Sequence, residues 1–123
     1  MTDNERIVRD FIAAWERLDA AELAAYFTAD GCYYNIPVQP VRGRDNVEKF
    51  IREFTATWTE TRWEIVSIGA VGERVYAERM DRTKTTGGDV DLPCLGVFEM
   101  RDGRIAEWRD YFDLGTFMQA MQS

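Results

Sequence analysis

The spacing of the apolar residues changes once along this chain of 123 residues, near Thr61, and the change limits the folds that are possible. Before Thr61 the apolar residues recur at the i, i+3, i+4 spacing of amphipathic helices. After it they alternate with polar residues, as in half-buried strands. Helices followed by a run of strands are typical of α+β proteins, whose helices cover one face of a sheet. The length fits a single domain, residues 1–123, with one core.

Three helices are predicted in the first half of the chain. The first covers residues 3–18, and Thr2 and Glu5 have the spacing of a capping box at its start. A short second helix follows Asp19 as its cap, and Asp30-Gly31 is predicted to end it. The third helix follows a turn at Gly43-Arg44-Asp45 and is marked by Val47, Phe50, Ile51 and Phe54.

The predicted strands cover residues 61–68, 74–85, 90–100 and 104–113, after an earlier strand at 32–38 that ends at Pro37 and Pro40. Asp102-Gly103 is a strong signal for a tight hairpin turn. A terminal helical segment, residues 114–121, is expected to pack Phe117 and Met121 on the body of the protein. A curved sheet covered by helices leaves a space between the two layers, which is a natural small-molecule pocket.

The chain contains no histidine, and its 15 basic and 22 acidic residues give a net charge of −7. It therefore lacks Ser-His-Asp and Cys-His catalytic groups, a histidine general base and histidine metal ligands. Acid and base chemistry near neutral pH has to come from carboxylates, tyrosine, cysteine or lysine. The acidic balance argues against a nucleic-acid partner, which would need a clustered basic surface.

The two cysteines, Cys32 and Cys94, lie far apart in the sequence and form no CxxC pair. They are interpreted as reduced thiols of a cytoplasmic protein. No segment is apolar over 18 residues, and the charged first residues resemble neither a signal peptide nor a membrane anchor. We therefore expect a cytoplasmic chain with no membrane partner.

Two polar clusters have the spacing of strand residues that share a face. Tyr33 and Asn35 lie two residues apart and together can hold a water molecule or a small polar group. The alternative is an aromatic strand residue followed by an asparagine before a turn. Arg79 and Asp81 also share a face, about 6.5–7 Å apart along the strand. Here the alternative is a solvated, charged strand face.

A third cluster places Asp110 between Trp108 and Phe112 on one strand face. A carboxylate inside an apolar pattern often marks a functional site, although the same residues could form a solvated outer face. If Asp81, Asp110 and Arg79 met in one cavity, burial and mutual repulsion would put the two carboxylates in different protonation states. One would then serve as an acid and the other as a base, which is the requirement for adding water to a strained ring.

With these clusters in place, the sequence resembles the limonene-1,2-epoxide hydrolase family over nearly its whole length. The motifs that carry the resemblance are Tyr33-Tyr34-Asn35-Ile36-Pro37, Tyr76-Ala77-Glu78-Arg79-Met80-Asp81, Leu95-Gly96-Val97-Phe98 with Asp102-Gly103-Arg104-Ile105, and Trp108-Arg109-Asp110-Tyr111-Phe112-Asp113. The resemblance implies the α+β cone of the nuclear transport factor and ketosteroid isomerase group. In that fold three amino-terminal helices pack on the concave face of a strongly curved, mixed but mainly antiparallel sheet and enclose one deep apolar pocket.

The resemblance also implies an activity: addition of water to an apolar, terpenoid or cyclic epoxide in one step, giving a vicinal diol without a covalent intermediate. In that case Asp110 would be the general base, and Tyr33 and Asn35 would hold the water. Asp81 would be the general acid, with Arg79 between the two aspartates. The family uses no cofactor or metal and is usually homodimeric, so an epoxide, water and a second copy of the chain are the expected partners.

The expected substrate-pocket residues are Leu92, Cys94, Phe112, Trp58, Thr83 and Val47. Cys94 and Thr83 depart from the aliphatic lining that is usual in the family, which affects the expected substrate more than the reaction. Two alternatives remain open on the same fold. One is an isomerase or polyketide cyclase that moves protons, and the other is a non-catalytic binder of apolar small molecules.

Overall fold

This computed structural model describes residues 2–36 and 38–121, and the side chains among these up to Gln119. Pro37, which the sequence predicts to end a strand, and the side chain of Met121 lie outside the described part. The elements in chain order are α1 (Asp3–Ala14), a 3-10 turn (Trp15–Arg17), α2 (Ala20–Ala24), β1 (Phe27–Ile36), β2 (Pro40–Arg42), α3 (Arg44–Phe54), β3 (Trp58–Val71), β4 (Arg74–Thr85), β5 (Gly88–Arg101), β6 (Arg104–Tyr111) and α4 (Leu114–Met121).

The strands form one sheet in the order β2-β1-β6-β5-β4-β3. Among these strands β1 and β6 pair in parallel, and the other neighbours are antiparallel. Register shifts between Ile65 and Ser67 and between Glu99 and Met100 are bulges, which bend strands and increase their twist. The α+β class and the mixed, mainly antiparallel curved sheet are therefore confirmed.

The starts of the first two helices follow the predicted capping residues. The Thr2 side chain accepts a hydrogen bond from the Glu5 backbone N–H at 3.1 Å, and Asp19 accepts one from that of Glu22 at 3.2 Å. Each cap satisfies one of the backbone donors that the first turn of a helix leaves free. The first helix is shorter than predicted, because Leu18 adopts a left-handed conformation with φ of 49° after the 3-10 turn.

The prediction that Asp30-Gly31 ends the second helix is wrong. That helix ends at Ala24, and β1 already begins at Phe27, which is fully buried. The pairing of β1 with β6 shifts register between Phe27 and Cys32, and a Cβ on Gly31 would lie 3.0 Å from the Phe27 Cβ. The glycine therefore serves a close approach within an irregular strand rather than a turn.

The edge strand β2 was not predicted. It pairs antiparallel with β1 through Pro40, Val41 and Arg42. A proline is acceptable there because an edge strand does not need every backbone N–H for pairing. The Asp102-Gly103 turn is confirmed, with both residues at positive φ (52° and 76°), as a type I′ hairpin requires.

The core lies between the helices and the inner face of the sheet. Trp108 is fully buried at its centre, stacked on Tyr33 with ring centroids 4.2 Å apart and on Phe98 at 5.3 Å. Phe11 of α1 meets Trp108 edge-on at 5.2 Å, and Trp15 stacks on Trp63 at 4.2 Å. None of the helices in residues 2–36 and 38–121 is long and apolar enough to cross a membrane.

Candidate active site

Arg79, on the inner face of β4, joins two carboxylates in the buried interior. Its Nε and Nη2 donate to the two carboxylate oxygens of Asp81 at 3.0 and 2.8 Å. Its Nη1 and Nη2 donate to those of Asp110 at 2.8 and 2.9 Å. The Arg79 side chain is fully buried, and both aspartates are buried beside it. We call Arg79, Asp81 and Asp110 the carboxylate hub.

Strand geometry explains why these three residues meet. Arg79 and Asp81 lie two residues apart on β4, so their side chains leave the same face. Asp110 is opposite Gly96 on β5, and Gly96 is in turn opposite Ala77 on β4. A Cβ on Gly96 would lie 2.8 Å from the Arg79 Nη1, so the absence of a side chain leaves space for the guanidinium to reach Asp110.

Two indole rings flank the guanidinium. The Arg79 Cζ lies 4.5 Å from the ring centroid of Trp63 and 5.7 Å from that of Trp108. Contacts of this kind stabilise a desolvated cation through the ring quadrupole. Although burial opposes its charge, Asp110 and Asp81 hold the pKa of Arg79 well above its usual range. Arg79 therefore stays charged although its side chain is fully buried.

Tyr33 and Asn35 reach the hub because β1 runs parallel to β6. Asn35 is opposite Asp110 and Tyr33 is opposite Trp108 in this pairing, and both predicted water-binding residues are buried. Burial, helped by the negative charge of Asp110, raises the pKa of Tyr33 well above its ordinary value. The phenol therefore remains protonated and can donate a hydrogen bond to a group beside Asp110.

The two carboxylates share one counter-charge. Burial raises the pKa of Asp110, the positive charge of Arg79 opposes that rise, and the negative charge of Asp81 adds to it. With one guanidinium between two carboxylates, full ionisation would leave a net negative charge in the interior. A carboxylate with a raised pKa is a stronger base than one in water. The hub therefore combines a strengthened base with a second carboxyl group on the same cation.

A cavity of about 30 Å³ opens beside the hub. The residues on its wall that were predicted from the sequence are Tyr33, Asn35, Asp81, Asp110, Leu92, Cys94, Phe112, Trp58 and Thr83. The wall also includes Phe54, Trp63, Val90 and Phe117, which sequence reasoning missed.

Val47, which was predicted as a pocket residue, is fully buried in the hydrophobic core and is not part of the cavity wall described above. Val47 and Phe54 are two turns apart on α3 and so share a face, but Phe54 at the end of the helix is the residue that reaches the cavity. Trp63 is opposite Asp81 and Val90 is opposite Thr83. Knowledge of the strand register would therefore have identified both.

Cys94 lies at the edge of the hub. Its Sγ is 3.5 Å from the Asp81 Oδ2 and 3.5 Å from the Leu92 carbonyl oxygen, and its thiol can donate to either. Asp81, Cys94 and Asp110 bring their ligand atoms within 4.8 Å of one another, the spacing of a metal site. The fit to a divalent cation is poor, however, because the Arg79 guanidinium already binds both carboxylates and would repel a second positive charge.

A family model of the limonene-1,2-epoxide hydrolase catalytic domain matches residues 2–123. The chain belongs to the limonene-1,2-epoxide hydrolase family. It is 33% identical over 107 residues to epoxide hydrolase EphG of Mycobacterium tuberculosis, covering 87% of this chain and 71% of that protein.

Solved structures agree with this membership in the limonene-1,2-epoxide hydrolase family. The structure of an LEH-like epoxide hydrolase from M. tuberculosis is 30% identical, covers 97% of this chain and 89% of its own, and has a TM-score of 0.83. An NTF2-like protein of unknown function from Burkholderia pseudomallei (22% identity, all of both chains, TM-score 0.90) shows the fold alone. So does a protein described as a SnoaL-like polyketide cyclase from Shewanella putrefaciens (16% identity, 98% and 97%, TM-score 0.87). At the level of its family, the chain is an epoxide hydrolase-like enzyme.

Proposed function

We propose that this protein adds water to an apolar epoxide, cyclic or terpenoid, and releases a vicinal diol. The observation that carries the proposal is the hub, in which one buried guanidinium binds Asp81 and Asp110 through four hydrogen bonds at the wall of the cavity. Epoxide opening needs a base for the water and an acid for the oxygen at the same time. Two carboxyl groups on one cation offer both.

Asp110 is the proposed general base. It lies beside Asn35 and two residues beyond Trp108, on which Tyr33 stacks, so a water at this end of the cavity has one acceptor and two further polar partners. A raised pKa suits a base that works near neutral pH. As the water oxygen bonds to the epoxide carbon, Asp110 takes one of its protons.

Asp81 is the proposed general acid. As the C–O bond of the ring breaks, Asp81 gives its proton to the leaving oxygen, which becomes the second hydroxyl of the diol. One carboxyl group gains a proton while the other loses one, so the net charge of the hub is unchanged by turnover. Arg79 holds both groups throughout, and its Nη2 donates to each of them. Constant net charge is an advantage in a buried site, where a new uncompensated charge is costly.

The test compares three variants of similar shape. Asp110→Asn and Asp81→Asn are each expected to lower kcat for cyclohexene oxide or limonene oxide by about 10²–10⁴-fold, the usual contribution of a positioned acid or base. Asp89→Asn, an exposed change on β5, serves as the control and should keep the wild-type rate. Wild-type protein that makes no diol, or a hub variant that keeps full activity, would contradict the proposal.

Two other functions fit the fold, one catalytic and one not. A polyketide cyclase or isomerase would also use a carboxylate base, and the likeness to a cyclase-type structure is a likeness of fold. Product formed in ¹⁸O-labelled water separates them, since hydrolysis incorporates the label and isomerisation does not. A non-catalytic binder would hold its ligand equally well after Asp110→Asn and make no product.

We also propose that the protein works as a homodimer in the cytoplasm. Leu95 and Tyr111 are opposite each other on β5 and β6 and are 42% and 40% exposed, so they form an apolar pair on the outer face of the sheet. Covering such residues favours association. Light scattering after size-exclusion chromatography should give the mass of two chains, and Leu95→Glu should shift it towards one.

A further inference from the structure

Thr83 is a polar residue of the cavity wall that the proposed reaction does not use. It lies two residues beyond Asp81 on β4, on the same inner face, about 7 Å further along the strand. It is 5% exposed and contributes to the cavity wall together with Asp81 and Cys94. The rest of the wall near it is apolar, with Val90 directly opposite on β5.

The hydroxyl of Thr83 belongs to a small network with β3. Thr83 Oγ1 and Thr61 Oγ1 are 2.8 Å apart, and either can be the donor. Thr61 Oγ1 also accepts from the Trp63 Nε1 at 2.9 Å and can donate to the Arg82 carbonyl oxygen at 3.3 Å. Since each hydroxyl has one proton and two lone pairs, only two arrangements of this network are possible.

Both arrangements leave Thr83 with an unused hydrogen-bonding group. If Thr83 donates to Thr61, then Thr61 donates to Arg82 and both lone pairs of Thr83 are free. If Thr61 donates to Thr83, the proton of Thr83 has no acceptor among the residues that the structure describes. A buried polar group in either state gains free energy from a partner, and the cavity is the place where a ligand can supply one.

We propose that Thr83 is a specificity-determining residue that binds a hydroxyl group on the substrate, so that the preferred epoxides are hydroxylated ones. This inference rests on the proposed function of the site. A hydroxyl substituent both donates and accepts, and it therefore matches either arrangement of the Thr61–Thr83 network. The separation of about 7 Å between Asp81 and Thr83 along β4 places this hydroxyl a few carbon atoms from the epoxide ring rather than next to it.

Three phenylalanines of the cavity wall suit the hydrocarbon part of such a substrate. Phe54, Phe112 and Phe117 are neighbours, with ring centroids 5.7 Å apart for Phe54 and Phe117 and 6.3 Å apart for Phe112 and Phe117. The cavity wall thus combines polar side chains of β4 with aromatic rings. A substrate with a hydroxyl on one side of its ring would lie in one orientation, whereas a plain hydrocarbon epoxide leaves Thr83 without a partner.

The experiment uses cyclohexene oxide and the same ring with a hydroxyl group, 3,4-epoxycyclohexan-1-ol. Wild-type protein is expected to prefer the hydroxylated epoxide in kcat/KM by about 10-fold, the discrimination of one buried hydrogen bond. Thr83→Val keeps the side-chain shape, and Thr61 keeps its bonds to Trp63 and Arg82. This variant should lose the preference while still hydrolysing cyclohexene oxide. Thr83→Ser should retain the preference.

The control is Thr59→Val, the same change at an exposed threonine of β3 outside the cavity wall, which should preserve the preference. Equal kcat/KM for the two epoxides in wild type, or a preference that survives Thr83→Val, overturns the inference. If wild type hydrolyses neither epoxide, the proposed function fails. The binding of both epoxides to Asp110→Asn, measured by calorimetry, then tests the role of Thr83 alone. In that measurement, about 10-fold tighter binding of the hydroxylated ring supports a role for Thr83 if Thr83→Val abolishes the difference. Equal binding of the two epoxides overturns the inference.

Discussion

Gly96→Ala places a methyl group where the Arg79 guanidinium already lies. The added Cβ would be 2.8 Å from the Arg79 Nη1, 2.9 Å from the Phe98 Cε1 and 3.0 Å from the Trp108 Nε1. All three neighbours are fully or almost fully buried, and four hydrogen bonds to the two aspartates hold the guanidinium. The neighbours must therefore move by several tenths of an ångström. Movement of the Arg79 guanidinium changes the geometry of the hub.

The expected size of the effect follows from these contacts. Overpacking of a buried site costs about 1–3 kcal/mol. For a chain of 123 residues this lowers Tm by about 4–12 °C. The rate should also fall, because a displacement of about 1 Å within a catalytic site lowers the rate by about 10²-fold. Gly96→Ala is therefore expected to give a folded protein with a greatly reduced kcat.

The assay combines thermal unfolding with diol formation from cyclohexene oxide at a temperature where the variant is folded. Gly69→Ala on β3 is the matched control, since a Cβ there would meet no heavy atom within 4 Å, and it should leave both Tm and kcat near wild type. If Gly96→Ala retained the wild-type kcat, the guanidinium could yield without loss of function. The reasoning that Gly96 makes room for a rigid hub would then be refuted.

Three further predictions concern the two cysteine thiols, Asp110 and Phe117. Burial raises the pKa of Cys94 and of Cys32, so iodoacetamide at neutral pH should modify neither thiol in the folded protein but both in urea, as read by mass spectrometry. Burial also raises the pKa of Asp110 above its ordinary value of 3.8. The contribution of Asp110 to stability is therefore complete below pH 3.8 and is lost as the pH rises through the higher pKa that Asp110 has in the folded protein. The free energy of unfolding in urea is measured for wild type and for Asp110→Asn. The difference, wild type minus variant, should decrease as the pH rises above 3.8, and a difference that increases would contradict the prediction. Phe117→Ala removes a ring from the cavity wall and should raise kcat/KM for limonene oxide relative to cyclohexene oxide by roughly 10-fold, whereas an unchanged ratio would mean that α4 does not limit substrate size.

The sequence predicted the hub residues better than the cavity around them. Spacing of two along a strand assigns Arg79 with Asp81, and Trp108 with Asp110, to common faces, and these faces are the buried ones. Spacing alone was compatible with a solvated surface as well as with a functional site. The resemblance to the limonene-1,2-epoxide hydrolase family favoured the functional site. The proximity of Asp110 to Arg79 depends on which strands are neighbours, and alternation along a single strand carries no information about neighbours.

The errors have local physical causes. Asp30-Gly31 has the composition of a helix stop or turn, but the burial of Phe27 draws this segment into β1, where Gly31 permits an irregular pairing. Val47 fits the apolar face of α3 as well as Phe54 does. Periodicity indicates which face of a helix is buried, but it does not indicate which residue on that face reaches the cavity. Phe117 was predicted to pack on the body of the protein, and the structure places it against Phe54 at the cavity.

The parallel pairing of β1 with β6 has a consequence for how the protein comes to be active during synthesis. Asn35 and Asp110 are neighbours in this pairing, although 75 positions separate them along the chain. Contacts between such distant segments are slow to form because a long loop has to close first. The two halves of the proposed water site therefore meet only after β6, near the end of the chain, has been synthesised. Diol production by a refolding sample would accordingly report this last closure rather than the earlier growth of the β3–β4–β5 hairpins.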